Sequence, residues 1–175
     1  MIETDDNIHW FALRIYHGAV KPIISLCENA GVEYYRPMQM VEYMKDGGKF
    51  YVEEPIIVNL LFVKSSIEFV KSLQGATRNR AYPYCYAETN RPQPIDDHTM
   101  AVFRMVVQKG ANHLRIVDFP IDKGDRVRVI DGMFKGAEGY VRRVHGTKLF
   151  VVALEGIVAI AVTHIPRQFL ERVEK

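Results

Sequence analysis

The stretch that decides the fold is Gly124-Asp125-Arg126-Val127-Arg128-Val129-Ile130-Asp131-Gly132-Met133-Phe134-Lys135-Gly136-Ala137-Glu138-Gly139-Tyr140-Val141. It alternates polar and β-branched residues, breaks at a glycine and resumes after two more. Period two marks a strand with one buried face. Val127 and Val129 point one way; Arg126, Arg128 and Ile130 point the other. The glycines are spaced so that a tight connection, partly at positive φ, can join two strands. Further β-branched runs near residues 139–144, 149–153 and 157–162 extend the pattern. Four or five short antiparallel strands in about 50 residues predict an SH3-like barrel. Small barrels of this kind bind something.

Working outward toward the N-terminus, the pattern changes. His9 to Tyr16 reads as a strand, and a helix follows with Pro22 in its first turn. Ile23, Leu26, Cys27 and Ala30 form its apolar stripe, and Gly31 stops it. Glu33 to Tyr43 reads as one extended strand whose Pro37 suits an edge or a bend. Lys45-Asp46-Gly47-Gly48-Lys49 predicts a hairpin tip, with Phe50 to Glu53 pairing back. Ile56 to Val63 is almost wholly apolar and belongs in the middle of a sheet. Ser65 or Ser66 can cap a short helix with Ile67, Val70 and Leu73 inside and Gly75 past its end. Tyr82 to Tyr86 is a short aromatic strand, Asn90 to Pro94 a loop, and Asp96 a cap for a third helix. That helix carries Met100, Phe103, Val106 and Val107 inward and ends at Gly110. The order is β-α-β-β-α-β followed by a helix, a split βαβ arrangement with helices on one face of an antiparallel sheet. The fold class is α+β. Its expected parts are residues 8–112, a linker at 113–122 and the barrel at 123–173.

At 175 residues the chain has room for two small domains, and 48% apolar residues can fill both cores. Net charge is only +2, low for a protein held to nucleic acid by phosphate neutralisation alone. Residues 1–122 carry 13 basic and 15 acidic side chains, and residues 123–175 carry 10 and 6. The acidic start is no secretory signal, and no run reaches membrane-helix length, so a cytoplasmic protein with no membrane contact is expected. Cys27 and Cys85 read as reduced thiols. The six histidines are scattered, without metal-ligand spacing to either cysteine, so no metal and no cofactor is expected. Asp96-Asp97-His98 is better explained by helix capping, and Gly47-Gly48-Lys49 by a hairpin than by a phosphate loop. Cys27 on an apolar stripe is a poor nucleophile. An enzyme is therefore not expected.

Together the two parts resemble the NusG family of transcription elongation factors, in which an NGN domain is linked to a KOW domain. The KOW likeness rests on Val127 to Gly139. The NGN likeness rests on His9-Trp10-Phe11-Ala12-Leu13-Arg14, on Asn59-Leu60-Leu61-Phe62-Val63, and on Pro94-Ile95-Asp96-Asp97 with Met100 and Phe103. It covers residues 8–173. Val58 and Leu60 stand where the family usually has Pro and Tyr, which resembles a specialised bacterial paralogue. The nearest likeness is to the UpxY-like antiterminators of capsular polysaccharide operons.

The resemblance implies a monomeric factor whose NGN domain docks on the clamp helices of the largest RNA polymerase subunit and suppresses pausing or premature termination. Docking needs an exposed apolar or aromatic depression with a polar rim. Tyr16, Val58, Leu60, Phe62, Tyr84 and Tyr86 can furnish it, with Arg14 on the rim. Phe62 suits a core equally, whereas tyrosine keeps a wet end. Lys71, Ser72, Arg78 and Arg80 offer a second contact, to the opposite polymerase pincer or to non-template DNA, where cations beside Tyr82 suit single strands, and a solvated basic loop explains them equally. At the barrel tip, Gly132, Phe134, Lys135, Gly136 and Gly139 mark the place where related KOW domains recruit termination factor Rho, a ribosomal protein or RNA. The glycines equally serve the turn, and Phe134 equally caps the barrel. The competing reading is a KOW-type RNA-binding or ribosome-associated protein.

Overall fold

The computed structural model describes residues 8–16, 18–110, 114–117, 125–144, 146–163 and 165–173. The chain divides into two compact units, residues 1–97 and 98–175.

The first unit is built on an antiparallel sheet. Its strands are β1 (His9–Ile15), β2 (Glu33–Tyr35), β5 (Leu60–Ser65), β6 (Ala81–Pro83) and β7 (Pro94–Ile95), in the order β2-β5-β1-β6, with β7 sharing the β1 edge. Between β2 and β5 the chain leaves the sheet as a two-stranded ribbon, β3 (Met38–Lys45) and β4 (Gly48–Pro55). The single strand expected over Glu33–Tyr43 is thus two, divided at Arg36-Pro37, where proline supplies no donor to a ladder. Two helices, α1 (Val20–Asn29) and α2 (Ile67–Ala76), pack their stripes on one sheet face. Phe11, Leu13, Ile15, Leu61 and Val63 meet Ile23, Cys27, Val70 and Leu73 there. Gly31 lies at φ +65° just beyond α1, the left-handed conformation expected past a helix end. Ser66 caps α2, its hydroxyl accepting from the Phe69 amide at 3.3 Å. Gly75 lies inside α2, not past it; Arg78 and Asn79 take the positive φ instead. The expected loop at Asn90–Pro94 ends in β7, which pairs Ile95 with Trp10.

The opposite face of the sheet is also buried, at Trp10, Ala12, Leu60 and Phe62. That is why β5 reads as one continuous apolar run: both its faces are covered.

Helix α3 (Asp97–Gly110) straddles the division between units, and most of it groups with the second. That unit holds a six-stranded antiparallel sheet in the order β13-β9-β10-β11-β12-β8. The strands are β8 (Leu114–Ile116), β9 (Asp125–Val129), β10 (Glu138–Val144), β11 (Thr147–Leu154), β12 (Val158–Thr163) and β13 (Leu170–Arg172). Val127 and Val129 are buried as the alternation in β9 requires, whereas β11 and β12 are buried at consecutive positions, residues 149–152 and 159–162. Part of the expected linker is strand: Leu114–Ile116 pairs with β12. The rest of residues 113–122, apart from Val117, lies outside the described residues. The fold is α+β, a sheet domain with helices followed by a β-rich domain.

Candidate functional site

The aromatic end of the first sheet is assembled by register. Arg14, near the end of β1, lies opposite Leu60 on β5 and Tyr82 on β6, so all three share a face. Leu60 is 1% exposed and Phe62 fully buried, so neither offers docking surface. Arg14 does. Its guanidinium carbon sits 4.9 Å from the centre of the Tyr84 ring, a cation–π geometry. Hydrogen bonding to Tyr84 and Tyr16 holds its pKa above the ordinary arginine value. Tyr16 meets Tyr82 edge to face with centroids 6.2 Å apart, and its amide donates to the Arg80 carbonyl at 2.8 Å. Val58 is 74% exposed on the turn entering β5, where Arg36 Nη2 donates to its carbonyl at 3.2 Å. The adjoining Asn59 carbonyl accepts from the Ile15 amide at 2.9 Å, tying that turn to the end of β1. Arg14, Tyr16, Val58 and Tyr84 therefore crown one end of the sheet. Tyr86 is exposed on the loop closed by the Cys85–Pro92 bridge.

Tyr82 belongs to this surface, and the sequence does not single it out for docking. Its signal is its place opposite Arg14, which appears only once β6 pairs with β1. Tyr82 also faces a second feature. A cavity of about 460 Å³ is lined by Lys71, Gln74, Tyr82, Pro83, Cys85 and Asn90, with Pro92 closing it. Lys71 and Ser72 lie on α2; Lys71 is exposed, and Ser72 Oγ donates to the Phe69 carbonyl at 2.6 Å. Arg78 is exposed at φ +53°, and Arg80 Nε donates to the Thr77 carbonyl at 3.1 Å. Burial pushes the Cys85 thiol above its ordinary value, partly opposed by Lys71, and burial raises Cys27 to about 11. Neither is an activated nucleophile.

In the β-rich unit the tip loop is closed by its own backbone. The Gly136 amide donates to the Val129 carbonyl at 2.7 Å and the Ala137 amide to the Phe134 carbonyl at 3.0 Å. Phe134 is only 6% exposed, so it packs inside the β-rich unit; the apolar side chain facing water at the tip is Met133. Lys135 is exposed. Gly132 and Gly136 hold φ of +82° and +91°. Gly139 is needed for space, since a Cβ there would lie 2.4 Å from the Val151 carbonyl oxygen. Among the described residues, no group of three or more His, Cys, Asp or Glu side chains is placed to hold a metal, and no helix is long and apolar enough to cross a membrane.

An α+β sheet domain that carries a cluster of one arginine and several tyrosines is followed by a β-rich domain. Residues 8–104 match the sequence model described as "NusG: Transcription termination factor nusG", and the chain belongs to the NusG family. No curated protein matches the chain. The crystal structure of the MjSpt4:Spt5 complex in conformation B is 19% identical, covering 95% of this chain and 97% of that one, with a TM-score of 0.29. A score that low carries no structural argument.

Proposed function

We propose that this protein is an elongation and antitermination factor whose NGN domain, residues 8–112, docks on the clamp helices of the largest RNA polymerase subunit. The observation that carries the reading is the crown of Arg14, Tyr16, Val58 and Tyr84 at one end of a sheet packed on both faces. Aromatic and arginine side chains on a rigid scaffold are what protein docking sites are made of. Tyr82 extends the crown. Such a factor works by holding the polymerase, with no bond-making step and no cofactor.

Non-template DNA, or the opposite pincer, is the second contact, through Lys71, Ser72, Arg78 and Arg80. The cavity beside Lys71 and Tyr82 supports it, joining a cation, an aromatic face and two amide side chains. The β-rich unit acts as a KOW domain over residues 123–173, joined by a linker at 113–122. Its tip would engage Rho, a ribosomal protein or RNA through Met133 and Lys135. A cytoplasmic bacterial monomer serving a polysaccharide operon completes the reading.

The test is binding to purified core RNA polymerase, followed by a pause-and-termination assay on the chain's own operon leader. The wild type should bind and shorten pauses. Val58→Asp should bind at least roughly tenfold more weakly, as expected for charge in a desolvated docking site, with its thermal unfolding unchanged. Absent wild-type binding and unaltered pausing would replace the reading with the RNA-binding one.

A further inference from the structure

The β3–β4 ribbon presents apolar side chains to solvent along its length. Among the described residues, its strands pair only with each other. Six exposed large apolar side chains sit on it: Met40, Tyr43, Met44, Phe50, Tyr51 and Val52. Its register sorts them. Val41 lies opposite Val52 and Tyr43 opposite Phe50, so these four form one continuous apolar face. The Tyr43 and Phe50 rings stack at 5.6 Å with 23° between planes. The other face mixes Met40, Met44 and Tyr51 with the Glu42–Lys49 ion pair of 2.9 Å.

An isolated two-stranded ribbon is marginal in water, yet this one is prepared for its shape. Asp46 and Gly47 both take positive φ, +52° and +79°, the two-residue turn that matches strand twist. Tyr43 donates to Glu54 at 2.6 Å and Tyr51 to Glu42 at 2.8 Å, so each hydroxyl is satisfied within the ribbon and the rings are left to face outward. Its base is tied to the turn bearing Val58: the Ile56 amide donates to the Pro37 carbonyl at 2.9 Å, and Arg36 reaches the Val58 carbonyl. The ribbon therefore starts where the crown ends.

Its charge selects the partner's chemistry. Residues 38–55 hold four carboxylates, Glu42, Asp46, Glu53 and Glu54, against Lys45 and Lys49. A net negative ribbon is repelled by a phosphate backbone and complements a protein surface framed by lysine and arginine. We propose that the ribbon is a second docking element for RNA polymerase, its Val41, Val52, Tyr43 and Phe50 face laid on an apolar surface with a basic rim. This inference rests on the polymerase reading above.

Purified core RNA polymerase is the probe, with affinity measured for the wild type, Val58→Asp, Tyr43→Ser/Phe50→Ser and Glu53→Lys. The double variant removes the stack. Glu53 lies opposite Met40 on the other face, so Glu53→Lys leaves the stack and the docked face untouched and tests the ribbon's net charge alone. The double variant should weaken binding at least roughly tenfold. Glu53→Lys should weaken it about threefold at low salt, with the gap closing as salt rises. Wild-type affinity in both ribbon variants, with Val58→Asp impaired, overturns the ribbon proposal and leaves the polymerase reading standing. No binding by the wild type overturns both. A wild-type dimer in sedimentation that the double variant abolishes would give the face to a second copy and overturn the proposal.

Discussion

Val58 and Leu60 stand two residues apart with opposite fates, and the difference decides what each can do. Val58 projects into solvent from a turn, while Leu60 begins the strand buried on both faces. Replacing Val58 by Ala should change stability by no more than about 0.5 kcal/mol. Phe62→Ala should cost about 3–5 kcal/mol by emptying a filled core, read as a shift in the denaturant midpoint. Leu60→Asp should leave no folded sheet at all, because it buries a carboxylate among apolar side chains. The sequence already holds this distinction. The run from Ile56 to Val63 belongs in the middle of a sheet, and a strand covered on both sides has no face left for docking. Assigning Leu60 and Phe62 to a docking surface follows family position against that run. Tyr82 reads in the sequence only as the aromatic beside Arg78 and Arg80, because its place in the crown depends on a strand pairing that local pattern does not carry. Phe134 is open between tip and core in the sequence, and its burial answers for the core.

At the scale of elements, caps, turns and alternation are legible, and interruptions less so. The hairpin tip, the α1 stop at Gly31 and the alternation of β9 all rest on local backbone chemistry, which sequence carries directly. Pro37 marks a bend, but whether a bend ends a strand depends on where the next ladder partner lies. In the β-rich unit, Gly139→Ala should destabilise by about 1–3 kcal/mol, because the new methyl runs into the Val151 carbonyl and backbone cannot step aside cheaply. A lowered midpoint in denaturant checks it. Across β9 and β10, Glu138 accepts from Arg128 at 2.6 Å and from Arg126 at 3.0 Å. The bond from Arg128, foremost, holds the Glu138 carboxyl below the ordinary glutamate value of 4.5. A carboxyl with a depressed folded pKa adds stability above its unfolded pKa and loses it as pH falls through the folded one. Glu138→Gln should therefore flatten the acid side of the stability profile below about pH 4.5 and leave its slope near neutrality unchanged, as pH-dependent urea unfolding will read.

Over the whole molecule, charge separates a polymerase factor from an RNA reader. Residues 1–97 hold 10 basic and 13 acidic side chains, and residues 98–175 hold 13 and 8. By count alone the second unit could grip phosphates. Its ion pairs reduce that capacity: Arg126 and Arg128 are tied to Glu138, and Arg172 to Asp125 at 2.9 Å. Composition cannot show this, because pairing is a product of register. On the proposed reading the crown on the first unit would work by a different force, since aromatic and aliphatic contact is nearly indifferent to salt. A protein making 6–10 phosphate contacts loses about 10³–10⁵ in affinity between 50 and 200 mM salt. The polymerase complex of this chain should lose less than about tenfold over that range, with most of the loss coming from the acidic ribbon. Binding to a structured RNA should be weak at both salt concentrations. The measurement is a pair of titrations, polymerase and RNA, at each salt concentration. Tight RNA binding with a steep salt slope, beside feeble polymerase binding, would move the function to the β-rich unit and leave the crown without a task.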